Sequence, residues 1–376
     1  MPYEQPTVQS AVVIAMHMVD IADAIDLTKV EMLWDQQRRP ASIRSKLTST
    51  PPKALAFGVP PVVLTLDPLN LTLSGNAYQA QVSVRLYEFG AAAFSVHIPV
   101  TSCSWASFSQ LMNATDVLLG PSADSPVWQQ LMKPLREALL PALTKPSPAL
   151  LHEDYLLGIV QAFEEAIPVS TMHEHIDLVP LLSGEQRPLS EQARRDLLQQ
   201  RFSYYADDLV VLTWDRAFIF EPRGDSDVRD ILEVANAQLL EMRFYDELLD
   251  AELPLMYDMV EAAYHASNPF AARHIADLAR KLYTLVAEVT EITEKVDNAL
   301  QVTEDVYLAR VYTAALDLFR VRQVSEAVDR KLAIIRDTYA ALYEEASGKR
   351  AELLELAIIV LIVVEIVIAV LRHQSA

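Results

Sequence analysis

Residues 78–100 read YQAQVSVRLYEFGAAAFSVHIPV, and this stretch decides the fold class. Val82, Val84 and Leu86 alternate with Gln81, Ser83 and Arg85, so the three apolar side chains share one face of a strand. Gly90 then parts this run from a second one, Ala91 to Val100. Two strand-like runs on either side of a glycine predict a β-hairpin.

Working outward, Ser10 to Val19 reads as a buried strand. Ala22 to Trp34 reads as a helix, with Ile25, Val30, Leu33 and Trp34 near one side. Ala54 to Leu66 is apolar and broken by proline, which suits an edge strand. Ser104 to Leu119 and Val127 to Leu143 read as helices, and Tyr155 to Phe163 as a strand. Ser190 is placed to cap a helix running to Gln200. Leu209 to Trp214 and Ala217 to Phe220 flank Asp215-Arg216, the expected hairpin turn. Strands interspersed with helices give an α+β domain over residues 1–222.

Beyond Arg223 the texture changes. Only Pro254 and Pro269 of the 21 prolines lie there. Asp225, Ser226 and Asp227 are helix-opening residues. Leu278, Leu282, Leu285, Val289, Ile292, Val296 and Ala299 recur in alternating steps of four and three, a heptad seam. A second stripe runs Val321, Val324, Val328, Leu332, Ile335, Tyr339, Leu342, Ala346. The two stripes predict long antiparallel helices over 223–350, a helical hairpin or coiled coil, with self-association into a homo-oligomer. A helix packed on the first domain is an equal alternative.

Residues 351–376 are expected to form a C-terminal transmembrane helix. Leu353 to Leu371 holds 19 residues, all Leu, Ile, Val or Ala except Glu355 and Glu365. Such a helix is about 28 Å long, close to a bilayer core. Fifteen Leu, Ile and Val side chains gain roughly 5 to 9 kcal/mol on insertion, against about 3 for one central acid. Leu354, Glu355 and Glu365 are therefore the expected anchor residues, and Glu365 the expected contact between copies. The N-terminus reads as neither a secretory signal nor a presequence. A single-pass protein of the bacterial inner membrane follows, touching lipid through this helix, with its N-terminal bulk in the cytoplasm.

Composition narrows the function. Net charge is -20, which disfavours direct nucleic-acid binding. The 8 glycines are never closer than 15 residues, so no usual phosphate-cradling loop is present. No cofactor is implied. The single cysteine, Cys103, has no evident histidine partner and reads as a small core residue. His173-Glu174-His175, with Asp177 near and His152 upstream, would present two imidazoles on one face of a strand and could hold a metal. Asp207-Asp208 could act as acid and base or bind a divalent ion, although such pairs more often cap a turn. A metal-dependent hydrolase using His173, His175 and Asp208 is thus one reading. A membrane-anchored, non-enzymatic scaffold with an unidentified protein partner is the leading one.

The C-terminal residues carry a resemblance. The helix RVYTAALDLFRVRQVSEAVDRKLAIIRDTYAALYEE (310–345), a short basic spacer and LLELAIIVLIVVEIVI (353–368) follow the order of the required-for-meiotic-nuclear-division family of bacteria and mitochondria. VRLYEFGAAAFSVHIPV (84–100) and ANAQLLEMRFYDELLD (235–250) resemble that family's strand-glycine-strand element and the helix after its sheet. Leu356 stands where the family has an aromatic, which points to a divergent bacterial member. The resemblance implies a membrane-held scaffold that supports translation near a membrane, with no catalytic residues to carry over.

Overall fold

A computed structural model of the chain describes residues 6–36, 43–44, 59–120, 125–147, 151–185, 187–224, 227–265, 277–290 apart from 278, 282, 285 and 288, and 305–374. Its architecture is mixed α/β, an N-terminal sheet domain followed by C-terminal helices. The chain divides into two compact units, residues 1–244 with 294–324, and residues 245–293 with 325–376.

In the first unit the strands are β1 (Thr7–Asp20), β2 (Ala22–Ile25), β3 (Ile43–Arg44), β4 (Val62–Leu73), β5 (Asn76–Leu86), β6 (Ala91–Ser104), β7 (Leu143–Pro146), β8 (His152–Phe163), β9 (Arg201–Phe202), β10 (Leu209–Leu212) and β11 (Arg216–Phe220). Among the described residues, one sheet runs β3-β4-β5-β6-β1-β8-β11-β10-β9 and a second pairs β2 with β7. Its neighbours are antiparallel except β8 and β11, which lie parallel. Between β8 and β11 the chain passes through three short helices, α4 (Met172–His175), α5 (Val179–Ser183) and α6 (Glu191–Leu197), and then through β9 and β10.

The central strand β1 is apolar from Ala11 to Val19 except at His17, because both of its faces are covered there. One face carries Val13, Ala15 and Val19, packed in a single core with Phe108, Leu111 and Met112 of α2 (Trp105–Leu119) and Trp128 of α3 (Pro126–Leu139). Gly158 of β8 permits this approach, since a Cβ there would lie 2.8 Å from Met112 Sδ. The other face carries Met18, with Tyr87, Ala91 and Ala93, against Val234, Ala237 and Leu240 of α7 (Val228–His265).

Local signals place several elements. Ser104 and Ser190 cap α2 and α6, each accepting a backbone N–H three residues on. Two expected helices differ. Ala22–Ile25 is strand β2, and the helix α1 starts at Leu27 and ends at Gln36. The helix through Val127 stops at Leu139, and Leu143–Pro146 is strand β7. The register Ala24↔Thr144 explains both, because distant pairing outweighs weak local preference. Ser267 to Pro269 lies outside the described residues, as do Asp225, Ser226 and Ala54 to Phe57.

In the second unit, α7 continues to His265 and α9 (Val321–Gln374) runs for 54 residues; α8 (Val306–Leu318) precedes it in the first unit. Val328, Ile335 and Leu342, at every seventh position of α9, are buried. Lys331 of α9 grips Asp246 and Asp250 of α7, each at 2.6 Å.

The transmembrane expectation needs correction. Among the described residues, no helix is long and apolar enough to cross a membrane. The single-pass inner-membrane localisation is therefore overturned, and lipid contact through Leu354, Glu355 and Glu365 is unsupported. Leu353 to Leu371 is not a separate helix but the far part of α9, continuous with the charged positions before it and with Glu355 and Glu365 within it.

Candidate functional site

The sheet domain holds a cavity of about 850 Å³ at the start of β8. His152, Glu153 and Asp154 form its floor. Trp214 and Asp215, from the turn between β10 and β11, close one side. Asn236, Leu239 and Arg243 of α7 form another wall, and Asp317 to Arg320, at the end of α8, form the rim. Arg320 takes φ 57, the left-handed turn that parts α8 from α9.

Strand register sorts the floor residues onto two faces. His17 of β1 sits opposite Asp154, and Met18 opposite Glu153. His17 and Asp154 therefore project towards α3, and Glu153 towards α7. The Nδ1 of His17 donates to Asp154 Oδ1 at 2.5 Å, and His152 Nε2 stands 3.6 Å from Asp154 Oδ2. The His17 ring stacks on Trp128, centroids 4.6 Å apart and planes within 9°. One buried carboxylate is thus shared by a buried imidazole and a half-exposed one.

On the other face, Arg243 Nη1 reaches Glu153 Oε1 at 2.5 Å. Arg243 is thus the charge partner of this buried carboxylate, whose remaining lone pairs can still accept. Burial, reinforced by the Asp154 charge, pushes the Glu153 carboxyl up to about 7 despite Arg243. Burial likewise raises Asp215 against the pull of Arg216.

Tyr155 fixes the turn that carries Trp214. Its buried hydroxyl donates to the carbonyls of Thr213 and Arg216 at 3.0 and 2.9 Å, and burial raises its pKa well above the ordinary value. Its ring meets Phe319 edge-on at 5.3 Å. Arg216, also buried, ties the same turn to α2 and α5 through Asp116, Asn113 and the Leu181 carbonyl.

The expected metal residues fall elsewhere. His173 and His175 are exposed on α4, a single helical turn, where residues two apart do not share a face. Asp177 pairs with Arg194 at 3.1 Å. Asp208 accepts the backbone N–H groups of Tyr204 and Tyr205 at 2.7 and 3.2 Å, the turn-capping role. His152 joins Asp154 in the cavity. Among the described residues, no group of three or more His, Cys, Asp or Glu is placed to hold a metal ion. Burial raises the Cys103 thiol, which makes it a poorer nucleophile.

Of the expected seam, Val289 is buried. Leu278, Leu282, Leu285, Ile292 and Val296 lie outside the described residues. Glu355 is exposed on α9, and the side chains of Leu354 and Glu365 are outside the description. Sequence reading missed His17, Asp154, Glu153 and Arg243. A histidine inside the otherwise apolar run of β1 was the available signal.

The cavity floor lies within a segment that has relatives. A family described as uncharacterized protein MJ0711, N-terminal domain, matches residues 10–227, more than half of the chain. The chain belongs to this family. The match runs from β1 to the threshold of α7, so the family's domain is the sheet together with its α2 and α3 cover. Uncharacterized protein MJ0711 of Methanocaldococcus jannaschii is 24% identical over 196 residues, which is 52% of this chain. The match spans 59% of that relative's length. No solved structure matches. The resemblance to the required-for-meiotic-nuclear-division family is not confirmed by this match.

Proposed function

We propose that the chain is a non-enzymatic interaction protein that assembles with copies of itself through the apolar part of α9. One observation carries the reading. Ile358, Ile359, Val360, Leu361 and Ile362 are between 50% and 64% exposed. Successive helical residues turn by about 100°, so five in a row occupy every side of the helix. A helix apolar all round belongs in an interior. A partner seated on one flank would cover part of it. Copies of the same helix, bundled together, cover the faces they turn towards one another, and more of the circumference as copies are added.

In this reading the family's sheet domain recognises a protein partner and the helices gather several such domains. The translational role rests on the sequence resemblance alone. Light scattering after gel filtration tests assembly. The wild-type chain is expected at a multiple of 42.0 kDa. Ile359→Asp with Leu361→Asp is expected at one chain's mass with unchanged circular dichroism. A monomeric wild type overturns the proposal.

A further inference from the structure

Several features of the 850 Å³ cavity point to an occupant rather than to packing. Its volume lies in the range of small-molecule sites. Four carboxylates line it, Glu153, Asp154, Asp215 and Asp317, against two guanidinium groups, Arg243 and Arg320. Much of the cationic capacity is already used. Arg243 is engaged by Glu153 at 2.5 Å. Arg216, behind the wall, lies 2.6 Å from Asp116 and only 3.7 Å from Asp215.

The Glu153 side chain is 10% exposed, and beyond Arg243 its carboxylate has lone pairs to accept a further donor. A buried carboxylate with spare acceptor sites on a cavity wall gains from a second donor. The apolar part of the lining is Leu239, Leu318 and Phe319, with the Trp214 indole at the mouth, 67% exposed. An exposed tryptophan beside acids suits a ligand with a cationic head and a flat body.

We propose that this cavity is a binding site for a small organic cation, a primary amine or guanidinium carried on an aromatic or apolar body. The cationic head sits between Glu153 and Asp317 and donates to the Glu153 carboxylate beside Arg243. The body lies on Trp214 and Phe319. An anionic ligand would meet an acidic lining in a chain of net charge -20. The raised carboxyls of Glu153 and Asp215 agree, since an arriving cation relieves what burial imposes. The proposal stands apart from assembly through α9, because every lining residue belongs to the first unit.

The tryptophans make the test direct. Trp34, Trp105 and Trp128 are at most 5% exposed, so a change in the exposed component of emission reports on Trp214. The full-length chain is titrated with 2-phenylethylamine, 2-phenylethanol and phenylacetate, with calorimetry alongside. The amine is expected to saturate and to shift the emission to shorter wavelength. The alcohol and the acid are expected to bind at least about tenfold more weakly. Trp214→Ala should remove the shift. Asp317→Asn, on the exposed rim, should weaken the amine by roughly twofold to fivefold. Glu153→Gln should weaken it by about tenfold. Equal binding of the three probes, no saturation by the amine, or wild-type affinity in both acid variants overturns the site.

Discussion

Arg85 Nη1 lies 3.1 Å from Glu233 Oε1, joining β5 of the sheet to α7 where both side chains are at least nine-tenths buried. Asp230 meets the other guanidinium nitrogen at 2.9 Å, and Tyr87 donates to Glu233 Oε1 at 2.7 Å. Burial opposes the Arg85 charge, but Glu233 and Asp230 outweigh it and hold the pKa well above the ordinary value. The group therefore stays charged, and what matters is the loss of a partner. Glu233→Ala should cost about 3 to 5 kcal/mol in urea unfolding. Arg85→Met with Glu233→Leu should recover most of it. A double variant as unstable as the single one would show that the charges contribute net stability.

Gly90 governs the β5–β6 hairpin. It takes φ +108, and a Cβ there would stand 1.7 Å from the Ala22 carbonyl oxygen, which is backbone and cannot swing away. Its own carbonyl accepts the Ile21 N–H at 3.1 Å, so the turn is clamped onto the segment joining β1 to β2. Gly90→Ala should cost about 4 kcal/mol or more, read as a large fall in Tm or as loss of soluble protein. Gly75, with φ +81, has nothing within 4 Å of an added Cβ. Gly75→Ala should therefore show only the smaller backbone cost, about 1 kcal/mol. Equal losses at the two sites would contradict the steric account.

These two glycines also show where sequence reading works. The alternation of Val82, Val84 and Leu86 and the break at Gly90 are local signals, and the hairpin forms where they place it. Ser104 and Ser190 are equally local, since a cap acts on an N–H three residues away. The failures are non-local. Nothing in Ala22–Ile25 announces a strand until Leu143–Pro146 lies beside it. The cavity is the extreme case, because its residues come from β8, the β10–β11 turn, α7 and the end of α8. The apolar run of α9 misled in the opposite way. Nineteen residues taken alone satisfied an insertion scale, while the helix that contains them is 54 residues long.

Glu153 should leave a signature in stability against pH. Its folded carboxyl titrates at about 7, above the ordinary 4.5. A raised acid binds its proton more tightly folded than unfolded, so its contribution is full below pH 4.5 and is lost as pH rises to about 7. The loss is at most about 3 kcal/mol. Glu153→Gln cannot ionise and should show a flatter profile between those limits, overtaking the wild type above neutrality. Asp20 also titrates high, at about 6, chiefly through burial. It is common to both proteins and cancels in the difference. Parallel profiles from pH 5 to 8 would refute the assignment to Glu153.

The two imidazoles that share Asp154 differ in their shelter from water. His17 is 5% exposed and its Nδ1 has Asp154 at 2.5 Å, whereas the His152 side chain is 49% exposed with a 3.6 Å separation. Only the first bond is sheltered from water, so only there does removing a partner leave a buried polar group unsatisfied. Asp154→Ala should cost about 1 to 3 kcal/mol. His152→Ala should cost under about 1 kcal/mol, as exposed pairs do. His17→Phe keeps a ring to stack on Trp128 but strands the carboxylate, and should resemble Asp154→Ala. A double-mutant cycle between His17 and Asp154 should return a coupling of about 1 kcal/mol or more, and one between His152 and Asp154 close to zero. The reverse order would place the working contact of Asp154 at the cavity, with His17 held by its stacking on Trp128 alone.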